Sequence, residues 1–277
     1  MHTDVMVSMN GVSLNSLDER IILQRVNEGK PAQKYDTAQT GGRIGLLVTG
    51  YERTELQVDI EFSIADIRNY IDRARILQQV NAWAAQGGTL TVNYRPGMRL
   101  SVLCSDMAAV GYVREWDKSY TLTMKAWGVP YWEGEEASTV DISRSTTAVQ
   151  LLNPGTAPAP LEMDFRGMQT FGGVSVTDMD GSVLAFNVPG GEQITSYDAG
   201  SRFTIGHNGP IMVGEYVRTV GGSPVTADPL RFRTTASADE LWLQPGLNEL
   251  QVAFSGATYG MESMGSYARL VCRGRWV

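Results

Sequence analysis

The chain has 277 residues, 43% hydrophobic and 19% charged, which is too apolar for a disordered polymer and too poor in charge for a coiled coil. Its 23 basic and 30 acidic residues leave a net charge of -7, so it lacks the cationic surface that tight binding to nucleic acid or to an anionic membrane requires. The 30 glycines and 11 prolines follow no collagen-like period and, with many Val, Thr, Tyr and Phe, point to short strands joined by turns.

The first strand is expected at Val5–Met9, turned by Asn10-Gly11, and strand-like residues resume at Ile21–Leu23. Asn27 to Gly45 is polar and reads as a loop longer than the ~12–15 residues usual for a connection, hence a candidate inter-subunit arm. Within it, Gly41-Gly42-Arg43-Ile44-Gly45 lacks the Gly-Lys-Ser/Thr ending of a phosphate loop. Leu56, Val58, Ile60 and Phe62 alternate with Gln57, Asp59 and Glu61, the pattern of a half-buried strand. The period then lengthens. Ile67, Ile71, Ala74, Leu77 (or Val80) and Ala84 mark a helix over about 69–86, stopped by Gly87-Gly88, its apolar stripe packed on a sheet in preference to binding a partner.

Further strands are expected at Thr89–Tyr94, Arg99–Cys104, Ala109–Glu115 and Tyr120–Trp127. Trp127, Tyr131 and Trp132 then form an aromatic group that either plugs a core edge or stacks a sugar. The acidic Glu133-Gly134-Glu135-Glu136 and the Ser/Thr/Ala/Pro-rich stretch from Ser138 to Pro160 place a domain boundary near residue 140. A strand over Ala148–Leu152 leads the second domain, and the prolines up to Pro160 argue against a central strand directly after it. Strands follow at Leu161–Phe165, Gly173–Thr177, Ser182–Asn187, Gln193–Asp198, Arg202–Ile205, Tyr216–Val220, Leu230–Arg233, Glu240–Leu243, Asn248–Ala253 and Tyr267–Trp276. Asp180-Gly181 and Pro245-Gly246 mark turns, and the spacing suggests a sandwich or jelly roll.

Chemistry finds little to work with. Only two histidines are present, and a histidine-dependent triad could run only through His207, in a turn; His2 is near the start. Gly260 to Gly265 misplaces its serine for a nucleophile elbow. Asp178-Met179-Asp180-Gly181 begins like a calcium loop but its glycine comes early and its closing glutamate is missing. Glu133, Glu135, Glu136, Asp178, Asp180 and Asp198 are carboxylates that a glycosidase could pair, yet one sequence cannot pair them across strands. Cys104 and Cys272 are read as reduced, buried thiols. No catalytic, cofactor-binding or metal-ligating residue is expected.

The order of features resembles the distal tail protein family of long-tailed, non-contractile phages. Gly42-Arg43-Ile44-Gly45 ahead of the alternating strand, the helix ending Val80-Asn81-Ala82-Trp83-Ala84, and Thr121 to Trp132 with its proline–aromatic close carry the likeness in the first half. Asn153-Pro154-Gly155-Thr156-Ala157-Pro158-Ala159-Pro160 and Leu243 to Leu250 carry it in the second. The chain departs from the family pattern at Gly41, usually proline, and in extra loop material around Gly206 to Asp228.

The resemblance implies a mainly β chain: a tail-tube-like β-sandwich or barrel with one flanking helix over residues 1–140, then a galectin-like β-sandwich over 141–277. It implies a homohexamer that joins tail tube to tail tip or baseplate, with tape-measure-associated proteins nearby. Receptor-binding proteins or fibres dock on the ring, and DNA only passes through its channel. Such a protein is a virion component assembled in the host cytoplasm, not membrane-inserted and not an enzyme. The alternative is a carbohydrate-binding module that attaches the particle to a host glycan, with Trp242, Tyr216 and Tyr197 as stacking aromatics.

Overall fold

A computed structural model describes residues 5–29, 33–38, 47–53, 55–65, 69–110, 119–143, 146–255 and 266–277. The chain divides into two compact units, Met1–Glu135 with Val277, and Glu136–Trp276.

The first unit comprises β1 (Val7–Met9), β2 (Val12–Ser13), β3 (Ile21–Glu28), β4 (Gln33–Ala38), β5 (Leu47–Arg53), β6 (Leu56–Ile64), α1 (Tyr70–Ala85), β7 (Gly88–Val92), β8 (Met98–Asp106), β9 (Ser119–Ala126) and β10 (Trp132–Gly134). Its main sheet runs β2-β1-β7-β8-β9-β6-β3, with β10 antiparallel to the start of β8. Among the described residues this path ends on β2 and β3 without closing, so the barrel form expected as one option is not adopted; the sheet is open.

The alternation in β6 is realised in full: Leu56, Val58, Ile60, Phe62 and Ile64 are buried, and Phe62 stacks on Tyr120 of β9. Burying each such side chain contributes about 1.5–3 kcal/mol, which fixes the register because a one-residue slip would expose them all. Helix α1 starts where Asn69 caps it, its side chain accepting the Ile71 amide at 3.0 Å. Ile76, Leu77, Val80, Trp83 and Ala84 are buried, whereas Ile71 is exposed; the buried stripe runs instead through Arg73. The Asn81 side chain donates to the Ala108 carbonyl (2.8 Å) and accepts its amide (3.1 Å), while Trp83 Nε1 donates to Val12 O at 2.9 Å. Gly87 has φ +59°, and a Cβ there would meet Leu103 Cδ2 at 2.8 Å, so glycine ends the helix on two counts.

Two expectations fail here. The segment from Asn27 to Gly45 is not a loop throughout: Asn27 and Glu28 complete β3, and Gln33–Ala38 pairs with Leu47–Arg53 as a separate two-stranded hairpin. Cross-strand backbone bonds hold this polar sequence extended where side-chain periodicity gave no signal. The strand expected at Ala109–Glu115 is not begun at Ala109 or Val110, and its remainder lies outside the described residues.

The second unit comprises β11 (Ser138–Asp141), β12 (Ala148–Asn153), β13 (Ala159–Arg166), β14 (Gly173–Asp178), β15 (Val183–Asn187), β16 (Arg202–Asn208), β17 (Ile211–Val220), β18 (Ser223–Ala227), β19 (Trp242–Leu243), β20 (Gly246–Phe254), β21 (Tyr267–Cys272) and β22 (Arg275–Trp276). One sheet is ordered β11-β21-β13-β16-β17-β18, with β19 beside β13; the other is β12-β20-β14-β15. Leu161, Phe165, Phe203, Tyr216 and Leu270 from the first and Leu151, Val176, Phe186 and Leu250 from the second share one buried core, which makes a two-sheet sandwich.

Four readings need correction in this unit. The strand after the prolines, β13, is central, between β21 and β16. Pro160 is tolerated because it lies at the strand's start, opposite Trp242, before the β16 ladder begins at Met163. Leu230–Arg233 is not a strand: Pro229–Phe232 forms a 3₁₀ turn capped by Asp228, whose carboxylate accepts the Leu230 amide. Gln193–Asp198 is irregular: Ile194 forms an isolated bridge with Phe171, and the Asp198 carboxylate accepts the Thr219 amide of β17. The material around Gly206 to Asp228 is mostly strand, a β17–β18 hairpin turned by Gly221 (φ +59°) and Gly222 (φ +84°).

Candidate functional surfaces

In the first unit the side of the sheet opposite its buried residues is mostly polar, with Ile22 and Leu103 exposed among the polar side chains. It presents Gln57, Asp59, Glu61 and Ser63 from β6, and Ser119, Thr121, Thr123 and Lys125 from β9. Asp59 accepts from Gln57 Nε2 (2.9 and 3.1 Å) and from Thr123 Oγ1 (2.9 Å), and Ser119 donates to Gln24 of β3 at 2.7 Å. Arg25 lies opposite Glu61, and Lys125 Nζ is 3.2 Å from Glu55, so each of these cations has a carboxylate as neighbour. The face is therefore rich in hydroxyls and amides and offers no cationic track for phosphate.

In the chain between β3 and β6 stands the β4–β5 hairpin, which belongs to neither main sheet. Residues 34–38 are exposed along their length, Tyr35 among them. A two-stranded hairpin of this kind is marginal on its own in water.

The aromatic candidates separate on inspection. Trp132 is fully buried and Tyr131 is half-buried, so with Trp127 they form no open sugar platform. Tyr216 is a core residue: it packs edge-on to Phe232, its hydroxyl donates to Glu192 O at 2.8 Å, and burial pushes its phenol up to about 12. Trp242 and Tyr197 are exposed, but Arg275 covers one face of the Trp242 ring at 5.5 Å. Trp242 lies opposite Pro160 at the start of β13, while the neighbour of Tyr197, Asp198, bonds Met168 just beyond the end of that strand. The two rings are thus anchored at positions roughly 25 Å apart along the strand and share no ligand.

His207 is not in the turn but on β16, one residue before its end. Its Nδ1 is 3.9 Å from Glu162 and its Nε2 3.6 Å from Glu240, and neither nitrogen makes a hydrogen bond. No hydroxyl is bonded to it, so the nucleophile–base pair of a triad is missing. Burial, with the nearby Arg275 charge, pushes its pKa down to about 4. A base whose folded pKa lies below its ordinary value takes its proton first in the unfolded chain, so stability is lost as pH falls from about 6.5 towards 4. Thermal unfolding should show the wild type losing roughly 1–2 kcal/mol more than His207→Gln over that interval; parallel curves would refute the assignment.

The carboxylates singled out from the sequence are dispersed. Glu133 sits on β10 opposite Arg99, and the Glu135 amide donates to Gly97 O. Asp178 closes the β14–β15 turn by accepting the Ser182 amide, and Asp180 is in that turn. Asp198 accepts the amides of Gly200 and Thr219. Among the described residues no three His, Cys, Asp or Glu side chains are grouped to hold a metal ion. Cys272 is buried and Cys104 half-buried, both free thiols.

Sequence reasoning missed the role of Asn153. It is buried; its amide nitrogen donates to Ala157 O and Leu243 O, both at 3.0 Å, and its oxygen accepts the Gly155 amide at 2.9 Å. The Asn-Pro-Gly-Thr stretch is thereby a knot tying β12 to β19 and to the segment that enters β13. Asn248 does the same for the Gln244–Gly246 turn, accepting the Gln244 amide and donating to the carbonyls of Gln244 and Gly246.

No protein-family model matches the chain, and no curated protein does. Among solved structures it is similar to the Dit protein of phage SPP1, described as a paradigm of the hub adsorption apparatus in phages infecting Gram-positive bacteria. The TM-score is 0.67 at 13% identity, covering 99% of both chains. It is also similar to chains of the phage P2 baseplate in its activated conformation with Ca, with TM-score 0.49, 6% identity and coverage of 98% and 97%. The fold, both units included, is that of the SPP1 protein.

Proposed function

We propose that the protein is a non-enzymatic structural subunit of a phage tail tip, forming a homohexameric ring at the distal end of the tail tube. The observation that carries this reading is the correspondence in fold with the SPP1 hub protein over 99% of both chains. Residues 1–140 form the ring, and 141–277 form a galectin-like sandwich on which receptor-binding proteins or fibres dock. The ring adjoins the tail tube on one side and tip or tape-measure-associated proteins on the other.

A six-fold ring is closed by heterologous contacts, in which one surface of a subunit meets a different surface of the next. The β4–β5 hairpin suits one half of such a contact, because a hairpin that is marginal alone gains stability when laid on a neighbour. The hydroxyl-rich face of β6 and β9 lines the channel, where paired charges let DNA pass without adhering. The virion is the site of action, with assembly in the host cytoplasm.

Native mass spectrometry should detect a species six times the 30.3 kDa subunit, and electron microscopy should show six-fold rings with a central opening. A stable monomer at tens of micromolar would sink the reading, and oligosaccharide binding by that monomer would replace it with a glycan-attachment module.

A further inference from the structure

Both ends of the hairpin are fastened by the same chemistry. Glu28 is the last residue of β3, where the chain leaves the sheet for β4; Gly29 follows, its amide donating to Gln57 O at 2.8 Å. The Glu28 carboxylate accepts from Tyr94 Oη (2.6 Å), from Arg95 Nε (3.0 Å) and from Trp132 Nε1 (3.0 Å), and Arg95 Nη2 lies 2.8 Å from its second oxygen. Glu55 stands where the chain returns, one residue before β6. Its carboxylate accepts from Lys125 Nζ (3.2 and 3.3 Å) and from Trp127 Nε1 (3.1 Å). In each case one carboxylate receives one cation and one indole N–H, and the cation also lies over that indole: Arg95 is 5.3 Å from the Trp132 ring and Lys125 is 5.9 Å from the Trp127 ring.

We infer that these two carboxylate–cation–indole clamps are positioning devices that fix how the hairpin leaves the main sheet of the first unit. Charge-assisted bonds to a partly buried carboxylate are directional, and the Trp127 and Trp132 indoles respectively follow β9 and lie in β10, strands joined through β8 to the main sheet. Both tryptophans come from one stretch, Trp127 to Trp132, so a single segment holds both feet of the hairpin. This assigns the aromatic group a task other than sugar stacking or plugging a core. A neighbouring subunit meets a pre-set hairpin and loses less entropy on contact than it would by ordering a swinging one. That consequence rests on the ring reading; the clamps themselves do not.

The test is hydrogen exchange, by mass spectrometry, of the amides in Gln33–Ala38 and Leu47–Arg53 for wild type, Glu28→Gln, Glu55→Gln, the double variant and Trp127→Phe. A glutamine keeps the shape but turns an NH₂ towards donors. Hairpin exchange in the double variant should be at least tenfold faster, with rates in β6 and β9 unchanged. Hairpin rates equal to wild type overturn the inference. If exchange rises throughout the unit, Trp127→Phe decides, because that side chain is exposed and its loss leaves the core intact: acceleration confined to the hairpin supports the clamps, and no change overturns them. Native mass spectra of the same samples report separately on the ring, so absence of a wild-type hexamer removes the ring reading while the exchange data still decide the clamps.

Discussion

Gly155→Ala is expected to be among the most damaging single substitutions in the second unit. A Cβ at this position would stand 2.2 Å from the carbonyl oxygen of Arg275 and 2.4 Å from its nitrogen. These are backbone atoms, so no side chain can swing away to relieve the clash. The same carbonyl accepts the amides of Thr156 (2.8 Å) and Ala157 (3.0 Å), and moving it breaks both bonds. The Asn153 side chain, which holds the Gly155 amide and two carbonyls, is disturbed as well. Overpacking of this kind costs about 3 kcal/mol or more, which for a unit of this size lowers the melting temperature by roughly 10 °C. Differential scanning calorimetry of wild type and variant checks this, and a shift below about 3 °C would show that the knot can yield.

Phe203→Ala should cost about 3–5 kcal/mol by leaving a cavity at the centre of the sandwich. Its ring lies 5.0 Å from that of Phe171, 5.3 Å from Phe186, 5.8 Å from Phe165 and 6.1 Å from Tyr216. These partners come from both sheets and from the irregular segment before β14, so few of them can move inward together to fill the space. Urea unfolding provides the measure. Tyr197→Ala, at an exposed position, serves as the control, with an expected change within about 0.5 kcal/mol. A Phe203 variant no less stable than this control would place the core elsewhere.

What could be read from the sequence was what side-chain periodicity or turn chemistry encodes locally. Leu56 to Phe62 alternates because one face is buried, and Asp180-Gly181 turns because glycine adopts φ +83° there without strain. Asn69 and Gly87 bracket the helix for similar local reasons. The polar strand Gln33–Ala38 had no such mark, since its conformation comes from pairing with Leu47–Arg53. Leu230–Arg233 looked like a strand by composition, although Asp228-Pro229 in front of it is a cap followed by a residue preset for a helical turn, a signal that could have been used. The clamps at Glu28 and Glu55 were out of reach. They join residues 66 to 104 positions apart, and a glutamate is indistinguishable from a solvated one until its distant donors are placed.

The outermost strand of the second unit carries a proline whose place in the ladder matters. In the two-residue hairpin between Val220 and Ser223, that pair exchanges backbone bonds, so Pro224, opposite Thr219, has its nitrogen facing away from β17. A free edge would ordinarily recruit any passing strand, and here the ring nitrogen withholds the donor that such a visitor would need first. At Pro224 that edge therefore offers one backbone donor fewer to another strand.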